Sequence, residues 1–349
     1  MRRARVTLHT ENGPVSAAAP VIVSASRATD IPAFHAEWFM HRLRAGCAMR
    51  RNPVNRKPGW ISFENLGALV FWTKNPAPLM EHLEEIADHC PDFYFLFTLN
   101  DYENQGWEPG LPALAERVDI FRQLAQRIGP QRVVWRFDPV CVADPEPEMV
   151  TVIKRMRSLG RALHGTTQRL IFSFVQIGQY AKVRAAIKRA AKGGASCPMR
   201  EPTQPERARF LEAAAAMGRE HGLTVMHCAG PDSERHPGIL PGKCIDDALL
   251  ARICSPKNKK LAAYLRLNPA RPTLPGLQPQ PAQWTPPPRD SGQRPGCNCT
   301  TSRDIGEYHT CAHGCLYCYA TASPETARKN IQRLNAAMHA GKAPPSLLP

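Results

Sequence analysis

The chain has 349 residues, of which 43% are hydrophobic and 21% charged, and its formal net charge is +15. A chain of this length can bury a core without disulfide bonds, and because it has neither an apolar run of 18 residues nor a signal-peptide core, we expect a soluble, cytoplasmic protein. The excess of basic residues favours an anionic partner such as nucleic acid, although scattered basic residues also occur without any such role.

Short apolar runs alternate with segments of helical periodicity from residue 21 onward, which is typical of βα units around a parallel sheet or barrel. The predicted strands are 21–26, 68–73, 93–99, 132–138, 169–175 and 223–228. The predicted helices are 34–45, 77–88, 113–128, 146–161, 179–191 and 205–221. Six strands are too few for a closed eightfold barrel.

Polar clusters follow the predicted strands, with the sequences SASRATD, FWTKNP, FTLNDY, WRFDP, FSFVQ and MHCAG. The carboxyl ends of parallel strands are where α/β folds place their chemistry. Residues such as Asp30 and Asn75 are equally suited to capping the helices that follow. Six clusters at the same end of six strands favour a site.

The last part of the chain is different in composition. Residues 268–296 are dense in proline, which predicts an extended linker or surface loop. Beyond it, a short strand is predicted near 305–309, and Ser323, Pro324 and Gly341 predict the cap, first position and end of a final helix. We therefore divide the chain into a main α/β barrel body (1–265), a Pro-rich linker or loop (266–294), and a cysteine-rich loop with a final helix that completes the barrel (295–349).

Twelve cysteines are present, and in a reducing compartment clustered cysteines favour metal or redox ligands over disulfides. Five stand apart and are interpreted as buried fillers: Cys47, Cys90, Cys141, Cys197 and Cys254. Near the end of the chain, Cys311, Cys315 and Cys318 form a C-x3-C-x2-C triplet. Three thiolates can hold three irons of a cubane 4Fe-4S cluster and leave the fourth iron open to a ligand that is not protein.

The triplet and Tyr317 resemble the cluster motif of the radical SAM superfamily, in which an aromatic residue precedes the third cysteine. The resemblance implies a 4Fe-4S cluster that binds S-adenosylmethionine and cleaves it reductively to a 5′-deoxyadenosyl radical, with Tyr317 against the adenine. It also implies the fold class, a partial (β/α)6-type TIM barrel. Because the motif normally follows the first strand, we expect a circular permutation that leaves the cluster-bearing first βα unit C-terminal.

The whole chain also resembles DUF1848, a bacterial family of unknown function. The matching segments are 24–32, 72–76, 244–246, 297–299, 304–308 and 311–320, so the resemblance spans nearly the whole chain except the linker. Two of these segments, TD-I-P and W-T-K-N-P, are similar to those in the radical SAM branch that contains spore photoproduct lyase. With the basic charge, this makes nucleic acid the leading candidate substrate.

A second set of cysteines consists of Cys228, Cys244, Cys297 and Cys299. Four thiolates saturate a 4Fe-4S cluster, so a second cluster is the preferred interpretation. A structural zinc site is an alternative, because four cysteines also form a normal zinc site, and unconnected buried thiols are another. His227 is adjacent and is a candidate substitute ligand or hydrogen-bond partner.

Groups for binding S-adenosylmethionine are expected at the strand ends. We predict Thr29 and Asp30 near its amino group and Lys74 or Arg136 near its carboxylate, with further candidates Asn100, Asp138, Ser173 and Gln176. Two alternatives stay open: Arg136 pairs with Asp138, and Tyr317 serves only to exclude water from the cluster.

The sequence therefore predicts a radical SAM-type enzyme that abstracts hydrogen from an unidentified substrate, supplied with electrons by a reductant such as flavodoxin or ferredoxin. One rival is a non-catalytic zinc or iron-sulfur module that binds nucleic acid. The other is an electron-transfer protein with two closed clusters. The rivals differ from the enzyme in that neither cleaves S-adenosylmethionine.

Overall fold

The computed structural model describes residues 4–349 apart from 12, 53–54, 56, 193–198, 269–282 and 295. Cys197, Arg56 and the centre of the predicted linker lie outside the described residues. None of the helices in the described ranges is both long enough and apolar enough to cross a membrane.

The described part of the chain forms fourteen strands and eleven α-helices. The strands are β1 (Arg5–Thr10), β2 (Gly13–Ala18), β3 (Ile22–Ala25), β4 (Cys47–Arg51), β5 (Pro58–Ser62), β6 (Ala68–Thr73), β7 (Phe93–Thr98), β8 (Val133–Val140), β9 (Val142–Ala143), β10 (Arg169–Phe174), β11 (Met199–Arg200), β12 (Thr224–His227), β13 (Leu240–Pro241) and β14 (Arg303–Asp304). The helices are α1 (Ile31–Phe34), α2 (Ala36–Arg44), α3 (Ala77–Met80), α4 (Leu83–His89), α5 (Leu114–Ile128), α6 (Met149–Ala162), α7 (Ala181–Lys192), α8 (Gln204–His221), α9 (Asp247–Ile253), α10 (Lys259–Leu265) and α11 (Pro324–His339).

Eight of these strands form one parallel sheet in the order β13-β12-β10-β8-β7-β6-β3-β14. All six predicted strands belong to it, which confirms the α/β prediction. Of the strands in this sheet, β14 comes last in the chain and β3 comes first, yet the two are paired, with Arg303 opposite Val23 and Asp304 opposite Ser24. A segment that follows the Pro-rich region thus adds an edge strand beside β3.

The strand predicted at 305–309 is wrong in position, because β14 ends at Asp304. The Asp304 carboxylate accepts a hydrogen bond from the Gly306 N–H at 2.9 Å, and this local contact turns the chain away from the strand direction. Ile305 keeps one sheet-like contact, donating its N–H to the carbonyl of Ser24 at 3.1 Å. The segment that leads into the triplet is therefore a loop.

Both faces of the parallel sheet are buried. In β6, for example, successive side chains pack alternately on the two faces. Leu69 and Phe71 pack with the core formed by the long helices, whereas Val70 and Trp72 pack on the other face with α9 and α10. Successive side chains of a strand point to opposite faces, so a fully apolar strand requires cover on both sides. The continuous apolar runs of the sequence follow from this arrangement.

The final helix begins as predicted, with Ser323 accepting a hydrogen bond from the Thr326 N–H at 3.2 Å. Its Leu334 is buried in the same core as the helices before it. The residues after it return to the start of the chain: the Pro344 carbonyl accepts from the indole of Trp38 and the Pro345 carbonyl from the Met49 N–H. These contacts hold α11 against the N-terminal half of the protein.

A small sheet of four strands, in the order β1-β2-β5-β4, was not predicted. Its strands are half-exposed, and β1 alternates exposed and partly buried residues along its length. Short apolar runs were the basis of the strand predictions, and these strands lack such runs. The two-residue strands β9 and β11 pair separately as an antiparallel bridge.

Candidate active site

The carboxyl ends of the parallel strands surround a cavity of about 650 Å³. Seven cysteines line it: Cys228, Cys244, Cys297, Cys299, Cys311, Cys315 and Cys318. So do most of the other predicted site residues, namely Thr29, Asp30, Lys74, Arg136, Asp138, Ser173, Gln176 and Tyr317. Asn100 is buried close by and donates its amide to the Asp138 carbonyl at 2.9 Å. The residues that the sequence singled out are therefore neighbours in space.

The loop that carries the triplet is fixed by backbone contacts with residues 107–110. Leu316 donates its N–H to the Trp107 carbonyl, and Gly110 donates its N–H to the His313 carbonyl, both at 2.9 Å. A Cβ atom at Gly110 would lie 2.7 Å from that carbonyl oxygen, so the close approach requires glycine. Thr321 also donates its N–H to the sulfur of Cys318 at 3.3 Å.

Asp30 connects three parts of the site. One oxygen caps α1 by accepting from the Ala33 N–H at 3.0 Å. The other lies 2.8 Å from His313 Nε2 and accepts from the Lys74 N–H at 2.7 Å. Asp30 is thus both a helix cap and part of the cavity wall, and its carboxylate holds the triplet loop against the ends of β3 and β6.

A buried network joins Lys74, Glu108 and Tyr317. The Lys74 ammonium lies 2.6 Å from the Glu108 carboxylate and 2.9 Å from the Tyr317 hydroxyl, which itself donates to Glu108. Burial by itself would raise the pKa of Glu108. The charge of Lys74 and the hydrogen bonds from Lys74 and Tyr317 lower it by more than burial raises it, so the pKa of Glu108 lies below its usual value. Glu108 was not predicted, because it lies in a loop of residues 99–113 rather than directly after a strand.

Arg136 pairs with Asp138, which confirms the alternative raised for these two residues. Arg136 Nη1 also donates to the Thr98 hydroxyl at 3.0 Å, and Ser173 donates to the other Asp138 oxygen. The Nε atom of Arg136 is buried and has no hydrogen-bond partner among the described residues.

Further buried donors in the cavity wall lack a hydrogen-bond partner among the described residues. They are Thr29 Oγ1, Arg27 Nη2 and Arg50 Nε. A buried polar atom without a partner costs about 1–3 kcal/mol. Arg27 and Arg50 were not predicted as site residues: Arg27 lies over the Trp72 ring at 5.2 Å, and Arg50 comes from β4 of the small sheet.

The second set of cysteines also converges in the structure. The sulfurs of Cys228 and Cys244 are 3.9 Å apart, and Cys299 Sγ accepts from the Cys244 N–H at 3.2 Å. His227 does not join them, because alternation along β12 turns it to the opposite face of the sheet. There its ring stacks on Phe172 at 4.7 Å and lies 3.6 Å from Glu234.

The donor set suits soft metals. Burial raises the pKa of Cys315 to about 12 and raises the pKa of Cys311 well above its usual value, so metal binding to these thiols would be coupled to loss of their protons. No three Cys, His, Asp or Glu side chains of the described residues are already arranged around a single metal ion. The ligands of a cubane need no such arrangement, because each thiolate binds a different iron around a shared space. The triplet fits a cluster in donor type, number and access to the cavity.

Asp304 closes the seam between β14 and β3. Its two carboxylate oxygens accept from the Ser24 and Ser26 hydroxyls, both at 2.8 Å, from the Arg27 N–H at 2.7 Å and from the Gly306 N–H. It is 8% exposed, so these bonds form away from water. The side chain thereby ties the cysteine-bearing segment to the start of the sheet.

Asp304→Asn is expected to lower the free energy of unfolding by about 2–3 kcal/mol, because the amide NH2 group faces two hydrogen-bond donors and leaves them unpaired. Urea denaturation followed by tryptophan fluorescence measures the change. Asp119→Asn is the control: its exposed pair with Arg122, at 3.4 Å, contributes little, so a change below about 0.5 kcal/mol is expected. Equal effects of the two substitutions would contradict a stabilising role for Asp304 between β14 and β3.

A family model matches residues 22–320, and the family is described as a domain of unknown function, DUF1848. The matched region begins at β3 and ends just after the triplet, so it includes the eight-stranded sheet and both sets of cysteines. No curated protein and no solved structure matches the chain. Its function has to be argued from the geometry of the site.

Proposed function

We propose that this chain, which belongs to the DUF1848 family, is a radical SAM-type iron-sulfur enzyme. In this proposal Cys311, Cys315 and Cys318 bind a 4Fe-4S cluster with one open iron. The fold is a partial (β/α)6-type barrel, circularly permuted so that β14, the triplet loop and α11 form the first βα unit. The observation that carries the proposal is the position of the triplet in the cavity at the strand ends.

The sheet order supports the permutation. In an unpermuted barrel the strand that leads into the triplet is the first strand, and the next strand of the chain lies beside it in parallel. Here the strand that leads into the triplet is β14, and it lies parallel to β3, the first sheet strand of this chain. The triplet loop leaves the carboxyl end of β14, and α11 follows the loop and packs on the helical core. The order of strand, loop and helix is that of one βα unit.

The odd number of thiols supports an open cluster. The triplet supplies three ligands from one loop, and a cubane held by three thiolates keeps an iron free for S-adenosylmethionine. Such a cluster, once bound and reduced, would supply the one electron needed to split S-adenosylmethionine into methionine and a 5′-deoxyadenosyl group able to abstract hydrogen from a substrate. The surrounding residues hold the triplet loop in place.

The cavity-lining residues suggest how this chain holds S-adenosylmethionine. Lys74 and Arg136 are the candidates for its carboxylate, and Thr29 for its ammonium or ribose hydroxyls. Both cations are already paired, Lys74 with Glu108 and Arg136 with Asp138, so each would bind the carboxylate as a member of an ion pair. Asp30 positions the loop through His313, and Tyr317 presents its ring to the cavity.

The substrate that we favour is anionic. Arg27 and Arg50 line the cavity, and guanidinium groups are suited to binding phosphate or carboxylate. Among anionic substrates we favour nucleic acid, because the chain has a net charge of +15. A reductant such as flavodoxin or ferredoxin would supply the electron.

The proposal is tested by anaerobic reconstitution of the full chain with iron and sulfide, followed by reduction in the presence of S-adenosylmethionine. We expect about four irons per chain from the triplet, or about eight if the second cysteine set also holds a cluster, and formation of 5′-deoxyadenosine. A spectral change on adding S-adenosylmethionine is also expected. Iron-loaded, reduced protein that forms no nucleoside and shows no spectral change would favour an electron-transfer protein. Stable zinc with no iron would favour the zinc module.

A further inference from the structure

The second set of cysteines lies on three separate segments of the chain. Cys228 follows β12, Cys244 comes shortly before α9, and Cys297 and Cys299 precede β14. The parallel sheet brings these segments together on the face covered by α9 and α10. Their convergence is therefore a property of the fold rather than of local spacing.

The contacts among these four residues involve their sulfur atoms. Cys228 and Cys244 have their sulfurs 3.9 Å apart, which is far longer than the disulfide bond length of about 2.05 Å. Cys299 Sγ accepts hydrogen bonds from two successive backbone N–H groups, of Cys244 at 3.2 Å and Ile245 at 3.4 Å. N–H donors directed at sulfur stabilise negative charge on it, as they do at metal-bound thiolates.

Burial alone does not account for the four thiols. Each is less than 9% exposed, yet all four line the cavity rather than being enclosed by apolar side chains on every side. Cys90 shows the contrast: it is also buried, but it packs in the helical core and does not line this cavity. A filler residue needs no opening onto a cavity, whereas a ligand does.

Positive charge surrounds the four thiols. Arg294 Nη2 lies 3.9 Å from the sulfur of Cys228, and Arg27 and Arg136 line the same cavity wall. Four thiolates around a zinc ion, or around a cubane cluster in its oxidised form, carry a net charge of about −2 by simple counting of formal charges. The Arg294 guanidinium at this distance offsets part of such a charge in a buried site.

We propose that Cys228, Cys244, Cys297 and Cys299 are the four ligands of a second metal centre, closed to substrate and occupied by a soft, thiolate-binding metal. The centre is either a single zinc ion or a 4Fe-4S cluster, since both take four cysteines. With Zn–S bonds of about 2.3 Å, the sulfurs of a zinc tetrahedron lie about 3.8 Å apart. The Cys228–Cys244 pair has nearly this separation, 3.9 Å, whereas no three such side chains of the described residues are arranged around one ion. A zinc ion would therefore have to draw the other two thiols inward, and a cluster, with a different iron for each thiolate, would not. The proposal does not depend on S-adenosylmethionine chemistry.

The test uses the full chain with Cys311, Cys315 and Cys318 all replaced by serine, so that only the second set can retain metal. The protein is purified without oxygen from medium that contains iron and zinc, and metals and acid-labile sulfide are counted per chain. We expect one zinc without sulfide, or about four irons with about four sulfides. X-ray absorption at the edge of the retained metal should show four sulfur ligands at about 2.3 Å.

Two further variants in this background locate the site. Cys244→Ala should lose most or all of the retained metal. Cys47→Ala, which removes a solitary cysteine of β4, should keep it. The proposal is overturned if the triple variant is metal-free, if Cys244→Ala keeps its metal, or if thiol titration finds Cys228 and Cys244 joined in a disulfide without metal. The absorption measurement stays decisive if Cys244→Ala fails to fold, because fewer than four sulfur ligands would also overturn it. None of these readouts measures nucleoside, so they are independent of the enzyme proposal.

Discussion

Cys315→Ala is expected to reduce 5′-deoxyadenosine formation by at least about a thousandfold, the scale of loss when one member of a reacting unit is removed. Alanine cannot ligate iron, and the two thiols that remain cannot hold a cubane with a single open iron. Cys315 lines the cavity and lies in the loop that Gly110 and Trp107 fix in place, so no other described cysteine can move into its position without disrupting those contacts. Nucleoside product is measured by chromatography after anaerobic reconstitution and reduction.

Cys47→Ala is the matched control for this variant, because Cys47 is a solitary thiol in β4 and does not line the cavity. Its product yield should equal that of the unmodified chain. Iron should fall by about four atoms per chain in Cys315→Ala and remain unchanged in the control. If Cys315→Ala retained more than about a tenth of the nucleoside yield, the assignment of the triplet to an S-adenosylmethionine-binding cluster would be wrong.

Glu108→Gln is expected to lower the free energy of unfolding by about 3–5 kcal/mol, the usual cost of removing one partner from a buried ion pair. The Glu108 side chain is 3% exposed and that of Lys74 14%, and their charged groups are 2.6 Å apart. Glutamine keeps the shape but leaves the Lys74 ammonium buried without its counter-charge. Denaturation in urea, followed by far-ultraviolet circular dichroism, measures the loss.

Glu85→Gln is the control, because Glu85 forms an ion pair of the same length as Glu108 but on the exposed surface. Glu85 pairs with Arg44 at 2.6 Å, and the two side chains are 36% and 45% exposed. Water already solvates both charges there, so a loss of no more than about 1 kcal/mol is expected. The double variant Lys74→Met/Glu108→Gln should recover part of the stability lost in Glu108→Gln, since it removes the unpaired buried charge. A Glu108→Gln effect no larger than that of Glu85→Gln would mean that the network is not stabilising.

Much of the fold could be read from local patterns. The six central strands are continuous apolar runs because both faces of the sheet are covered, and each run was long enough to mark a strand. The cap of α11 was predictable because Ser323 and Pro324 act through hydrogen bonds within one turn. The polar strand ends predicted the position of the cavity, since parallel strands bring their carboxyl ends to one edge.

Several site residues were beyond the reach of such patterns. Glu108 lies within a loop, and it meets Lys74 and Tyr317 only through folding. Arg50 enters the cavity from the small sheet, whose half-exposed strands gave no apolar run. For His227 the adjacency to Cys228 in sequence was misleading, because neighbouring residues of a strand face opposite sides of the sheet.

The sequence by itself determined the six central strands of the parallel sheet and the start of the final helix, and it identified the two sets of cysteines, because secondary-structure periodicity and ligand type are local properties. Only the tertiary structure decided that β14 lies beside β3 and that Cys228, Cys244, Cys297 and Cys299 meet at the same cavity as the triplet. Asp304 and Ser24 are 280 residues apart in the chain and 2.8 Å apart in space. Such pairings depend on strand order across the whole sheet, which is fixed by packing both faces of the sheet at once rather than by any single segment.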